Sequence, residues 1–348
     1  DLQDYVVEES SKNDAIEWQD AMGRHGCSIF AQTAFGLKNS CFDKSSKFFE
    51  MVHLVLSSSA VQICRLSVAF FARGLAKLLN LRVIPKDASD FYMRLFKDTV
   101  QYREENSVTN NDFMQVLIEL KKQGTFGSTK DANTGTDDVL VMNQLTAQAF
   151  IFFLAGFETT SNTTSFCLYE LALNQDVQEK LRQEVDLLGG DVSFDRIKEM
   201  TYLDMVVKET LRRHPPVGFL HRTCNQPYKI PGTDDVIDKG ILLIVPIHGL
   251  HRDPEYFPEP LKFDPERFSK ENAANIKPYS YLPFGEGPRY CIGMKFGEIQ
   301  VKTGLVQLLQ KFEFHVHEKT AVPVQIEPKT ILSAAAGGMW LKAVPRQQ

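Results

Sequence analysis

The chain has 348 residues, 43% of them hydrophobic with 25 Phe and 21 Gly, so it can bury a large core without disulfide staples. A formal net charge of −5 argues against a general nucleic-acid binder, because backbone binding needs clustered Lys and Arg. Cys27, Cys41, Cys64, Cys167, Cys224 and Cys291 stand at wide, irregular spacings with no CxxC, which favours a reducing compartment over a disulfide framework.

The opening DLQDYVVEESSKNDAIEW has no initiator Met and no signal peptide, and reads as a chain already under way. No run reaches the ~18 apolar residues of a membrane span. Residues 1–123 read as mostly amphipathic helices. SIFAQTAFG ends one helix at Gly36, and FYMRLFKDTVQYREEN (91–106) carries helical apolar spacing. Between them, residues 60–83 mix Phe and Leu with isolated Arg and Lys. A buried helix pair is the first reading, and a membrane-touching surface the second. GTFGSTKDANTGTDD (124–138) is small, polar and aperiodic, a surface linker.

A long apolar-rich run over 139–174 predicts one central helix, roughly 48 Å long for about 32 residues at 1.5 Å each. Helices are expected again at 176–188 and 202–214, the latter stopped by Pro215 and Pro216. Shorter strands and turns follow, with ILLIVPIHG (241–249) as a strand. Residues 251–282 carry Pro254, Pro258, Pro260, Pro265 and Pro278 with little periodicity, a long irregular segment of the kind usually committed to a site. Residues 292–312 read as a helix and the tail after them as strands.

YLPFGEGPRYCIGMKFG (281–297) builds a glycine-rich loop around the single Cys291. As a nucleophile Cys291 would need a base in reach, and no His is adjacent in sequence. As a zinc ligand it would need three more donors, and none is near. As the axial thiolate of a haem iron it needs no other protein ligand, since the porphyrin supplies four nitrogens. Glycines would let the backbone lie close to a flat ring, and N–H groups at the following helix start would stabilise the thiolate. Arg289 could pair with a propionate. The rival reading is a buried structural cysteine in a turn.

The pattern F-x-x-G-x-R-x-C-x-G, intact as Phe284, Gly287, Arg289, Cys291 and Gly293, resembles the haem-binding signature of cytochromes P450. KETLRRHPP supplies an E-x-x-R pair as Glu209 and Arg212, and FDPERF supplies Arg267. LAGFETTSNTT (154–164) resembles the family's central-helix motif, and HRTC (221–224) places Arg222 where the family commonly meets a haem propionate. These motifs stand in family order, and the resemblance covers nearly the whole chain, with wording most like the microsomal insect detoxification branch.

The resemblance implies a mainly α fold with smaller β-sheets: one partial cytochrome P450 domain over 1–348, lacking its N-terminal portion. Residues 1–138 would be a distal helical region and linker, 139–174 the long central helix, and 175–348 the haem-binding core and terminal strands. The missing part would include an anchor, a strand-rich segment and a helix that contacts haem. The resemblance further implies haem b as cofactor, ligated by Cys291 and contacted by Phe284, Gly293, Arg289, Arg222 and Ala155. Thr159 would steady dioxygen and Glu158 feed protons, with Ala155 and Gly156 leaving room beside them. Glu209, Arg212 and Arg267 would form a buried charge triad that scaffolds the cysteine loop.

The implied activity is insertion of one oxygen atom from O2 into lipophilic small molecules, at the cytoplasmic face of the endoplasmic reticulum membrane. The sequence has no flavin or nicotinamide fingerprint and no G-K-S/T phosphate loop. The resemblance implies that electrons come from NADPH through a separate cytochrome P450 reductase docking near Arg289, Lys295 and Lys302, with cytochrome b5 as a further partner. Two rivals are a reductase-independent haem-thiolate isomerase or dehydratase and a non-catalytic helical fragment. Asn162-Thr163-Thr164 matches a glycosylation acceptor but falls inside the predicted central helix.

Overall fold

The computed structural model of the chain describes residues 2–37, 41–43, 45–56, 59–123 and 136–346. In chain order its elements are α1 (Leu2–Lys12), β1 (Ile16–Glu17), α2 (Trp18–Phe35), α3 (Lys47–Leu56), α4 (Ala60–Phe71), α5 (Arg73–Leu78), α6 (Lys86–Glu105), α7 (Phe113–Lys122) and α8 (Thr136–Leu173). Then come α9 (Gln175–Asp186), α10 (Phe194–Glu199), α11 (Thr201–Arg213), β2 (Leu220–Thr223), β3 (Tyr228–Lys229), β4 (Val236–Ile237), β5 (Leu242–Val245) and α12 (Ile247–His251). After a stretch holding short 3-10 turns, α13 (Met294–Leu309), β6 (Phe312–Val316) and β7 (Trp340–Pro345) complete the chain. The fold is mainly α with small antiparallel sheets, in strand orders β1-β7-β6, β2-β5 and β3-β4. The linker read over 124–138 lies outside the described residues for 124–135. No single helix among the described residues is long and apolar enough to cross a membrane.

The chain divides into two compact units, and the boundary falls inside α8 between Ser161 and Asn162. The first unit holds α1, most of residues 17–161 and a short return over 328–330. Its core is aromatic. Phe153 of α8 meets Phe48 of α3 at 4.9 Å, Tyr92 of α6 at 5.7 Å and Phe35 of α2 at 5.9 Å between ring centroids, edge-on or tilted as ring quadrupoles prefer. Helix α2 ends where expected: Gly36 takes φ 68°, and its N–H caps the Ala31 and Gln32 carbonyls.

Helices α4 and α5 do not form the buried pair that their composition suggests. Val61, Phe71, Leu75, Leu78 and Leu79 face outward, Leu78 with 81% of its surface exposed. Apolar density records a need for a cover without saying what supplies it.

The second unit packs α9, α11 and α13 with the end of α8 and the β6–β7 hairpin. Leu203, Val206 and Leu211 of α11 are buried, as are Leu305, Leu308 and Leu309 of α13 and Phe312 and Phe314 of β6. Gln178 of α9 seals this core like an extra strand residue: its amide nitrogen donates to the Phe314 carbonyl (3.0 Å) and its oxygen accepts the Phe314 N–H (2.8 Å). The strand expected over 241–249 is shorter. It stops at Val245, where Pro246 removes a ladder donor and leads into the single-turn α12.

Candidate functional site

The site is best described from the charge network beneath the cysteine loop, all within the second unit. Glu209 and Arg212 lie one turn apart on α11 and are fully buried. Arg212 donates from Nε and Nη2 to the two Glu209 carboxylate oxygens at 2.7 and 2.8 Å, a bidentate fork. Arg267, on the 3-10 turn Pro265–Phe268, brings Nε to 3.5 Å from Glu209 Oε1, and the Asp264 N–H donates to the same oxygen at 3.0 Å. The three residues of the expected triad therefore meet around one carboxylate. Burial pushes the Glu209 carboxyl up, and Arg212 acts against that shift.

Arg212 also reaches outward. Its Nη1 donates to the His251 carbonyl at 2.7 Å, and Nη2 donates to the Lys262 carbonyl at 3.2 Å. His251 completes the connection to the loop. Its Nδ1 lies 3.2 Å from the Arg212 carbonyl, while its Nε2 accepts the Leu282 N–H at 2.8 Å. That pattern requires the neutral ring with the proton on Nδ1. Burial agrees, pushing the His251 pKa down to about 4. Tyr281 stacks on His251 at 5.3 Å, and its hydroxyl donates to the Lys208 carbonyl at 3.0 Å.

His251 and Tyr281 thus hold the first residues of the cysteine loop against α11. Sequence reading missed both. A lone His at the end of the single-turn α12 carries no periodic signal, and its position at the start of the proline-rich segment was the one available hint.

The loop then closes on itself. The Gly285 N–H donates to the Leu282 carbonyl (3.1 Å), the Cys291 N–H to the Phe284 carbonyl (2.8 Å) and the Tyr290 N–H to the Gly287 carbonyl (3.0 Å). Gly285 and Gly287 adopt φ 71° and 76°, the left-handed region where a side chain is strained. Gly293 has an ordinary φ and caps α13. The result presents an exposed Cys291 thiol three residues before the start of α13.

Beside it, Ile292 is 98% exposed, and a Cβ at Gly287 or Gly293 would meet open space. Among the described residues no group of three or more His, Cys, Asp or Glu could hold a metal ion. A single sulfur on an apolar, glycine-lined surface fits a cofactor that brings its own equatorial donors, as haem does.

The other expected contacts are placed as follows. Arg222 on β2 is exposed and donates to the His221 carbonyl at 2.8 Å; Arg289 is exposed at the end of the 3-10 turn before Cys291. Phe284 is half-buried. Lys302, expected on a docking surface, is instead buried with Nζ 2.6 Å from Asp204 Oδ1, so it offers no free charge to a partner.

Ala155, Glu158 and Thr159 sit on the α8 segment of the first unit. Thr159 Oγ1 donates to the Ala155 carbonyl at 2.7 Å, one turn back. Ala155 is exposed, and Glu158 and Thr159 are half-buried. Gly156 does not simply leave room, as the sequence suggested: a Cβ there would stand 2.1 Å from the ring of Phe30 on α2. Its small size serves helix packing. Asn162, Thr163 and Thr164 are buried within α8, so the glycosylation match is not a surface acceptor.

A mainly α fold with a thiol presented on a glycine loop, braced by a Glu–Arg–Arg cluster, fits the class of haem-thiolate proteins. The cytochrome P450 family model matches residues 1–341, and the chain belongs to that family of haem-dependent monooxygenases. It is 41% identical over 349 residues to a Drosophila melanogaster protein described as "Probable cytochrome P450 6a14", covering 98% of this chain and 69% of the relative. Cytochrome P450 6k1 of Blattella germanica is 38% identical over 357 residues, covering 99% of this chain and 68% of the relative. The chain spans about two thirds of the length of these curated relatives.

Proposed function

We propose that the protein inserts one oxygen atom from O2 into lipophilic small molecules, using haem b held by Cys291 and electrons from NADPH delivered by a cytochrome P450 reductase, with cytochrome b5 as a further partner. The observation that carries this reading is the exposed Cys291 thiol held by a closed backbone loop, with no metal-binding cluster among the described residues. Bound haem supplies oxygen activation, and thiolate ligation favours O–O cleavage.

The chain's own residues do the rest. Cys291 presents the sulfur three residues before the start of α13. Arg222 and Arg289 offer exposed guanidinium groups suited to propionates, and Phe284 and Gly293 flank the sulfur in the loop. Thr159 keeps its hydroxyl proton on the Ala155 carbonyl, and Glu158 is the adjacent acid that can replace that proton once it has been passed on.

The proposed location is the cytoplasmic face of the endoplasmic reticulum membrane; outward-facing Phe71, Leu75, Leu78 and Leu79, on α4, on α5 and just beyond it, support contact with a membrane surface. The test is reconstitution of the full-length protein in phospholipid vesicles with reductase and NADPH. Oxygenated product should form only when both are present, and Thr159→Ala should lower product formed per NADPH consumed. Conversion of an oxygenated substrate without reductase, and none with it, would instead establish the isomerase or dehydratase reading.

A further inference from the structure

Away from the Cys291 loop, the first unit holds two cysteine sulfurs in close contact. Cys27 lies on α2 and Cys41 on the turn after it, and their Sγ atoms are 3.1 Å apart. Both residues are 0% exposed. The turn is fixed over the helix by its backbone: the Cys41 N–H donates to Ser28 Oγ at 2.8 Å, and Arg24 Nη1 donates to the Cys41 carbonyl at 3.1 Å. Residues on either side of Cys27 therefore hold Cys41 directly over it. A disulfide needs the sulfurs about 1 Å closer, at about 2.05 Å. Nothing in the spacing of 14 residues, without a CxxC, announces this pair.

We infer that Cys27 and Cys41 are a redox modification site, joined as a reversible disulfide when the protein meets a diffusible peroxide. The two sulfurs have different environments. Cys27 holds Cys41 down to about 7 by hydrogen bonding, against the effect of burial, whereas burial drives the Cys27 thiol up. Cys41 is thus the attacking sulfur. Asp43, two residues beyond Cys41, is exposed.

The Cys41 thiolate attacks one peroxide oxygen, the O–O bond breaks, and hydroxide leaves, giving a sulfenic acid. Cys27 sulfur then attacks Cys41 sulfur, the S–O bond breaks, and the departing hydroxide takes the Cys27 proton as water. Two thiols and one hydrogen peroxide give one disulfide and two waters. A thiol reductant reverses the reaction by exchange. Transient, sensing disulfides of this type are the kind found in reducing compartments.

The site adjoins the helix contact that supports α8. Gly26 precedes Cys27, and a Cβ on it would stand 2.4 Å from Ser161 Oγ, which donates to the Met22 carbonyl at 2.9 Å. The bond would fasten the turn to the helix face on which that segment of α8 rests.

The experiment treats the full-length protein with hydrogen peroxide, alkylates remaining thiols after unfolding, and maps the cysteine peptides by mass spectrometry. The expected result is a Cys27–Cys41 peptide pair lighter by two hydrogens, lost on reduction and absent from Cys27→Ser and Cys41→Ser. In Cys27→Ser, a dione probe should trap sulfenic acid at Cys41. The wild-type map decides the matter even if a variant folds poorly. Recovery of both cysteines as alkylated thiols while exposed Cys64 is oxidised, or their separate conversion to sulfinic acids with no crosslink, overturns the inference.

Discussion

Arg212 is fully buried, and three acceptors divide its donors: Glu209, the His251 carbonyl and the Lys262 carbonyl. Arg212→Ala strands the Glu209 carboxylate in the core, so the folded state should lose about 3–5 kcal/mol, the range for breaking a buried pair on one side. Urea unfolding measures this directly, and a loss under about 1 kcal/mol would show that Glu209 finds another cation or a proton. His251 sets a pH dependence. Its folded pKa is about 4 against an ordinary 6.5, so the unfolded chain takes up a proton that the folded chain refuses. Stability is full above about pH 6.5 and falls as pH drops toward about 4, by about 3 kcal/mol from this residue. Half-buried His248, also held near 4, adds in the same direction. Urea midpoints across that window should drop for the wild type and drop less for His251→Gln; parallel curves would remove His251 from the account. At this scale the meeting of Glu209, Arg212 and Arg267 was legible through the motifs of the family resemblance, since Arg267 stands 55 residues beyond Arg212. His251, Tyr281 and the Cys27–Cys41 pair were not, because contacts between distant segments leave no local pattern.

Helix α8 shows what an element's sequence can and cannot reveal. Its length was readable from an apolar-rich run without Pro, with an observed span of Thr136–Leu173 against an expected 139–174. What Gly156 does was not readable, because the reason lies on another helix. Phe30 is 1% exposed and leaves no space for a methyl group. Gly156→Ala should therefore destabilise by about 1–3 kcal/mol through overpacking, despite the better helix propensity of Ala. Adding Phe30→Leu should recover part of that loss, and a neutral single variant in thermal unfolding would show that α2 and α8 can separate freely. Helices α4 and α5 taught the complementary lesson, since their apolar residues proved to face outward. In the second unit, Pro246 shortened the expected strand because an interior proline cannot donate to the ladder.

For the whole molecule, the class of fold was open to inference because helical periodicity, the proline-rich segment and four motifs agree in order along the chain. The match over residues 1–341 and relatives at 41% and 38% identity place it in the cytochrome P450 family. Substrate choice leaves no comparable mark in the sequence, because a lipophilic pocket is written in scattered apolar residues and not in a spaced motif. The account depends on Cys291 sulfur acting as the iron ligand. The most direct measurement is the absorption spectrum of the ferrous, carbon monoxide-treated full-length protein, wild type beside Cys291→His. The wild type should show the red-shifted Soret band of a thiolate-ligated haem, and Cys291→His should lose it while any bound haem absorbs at shorter wavelength. An unshifted wild-type band, or a red-shifted band that survives in Cys291→His, would contradict the account.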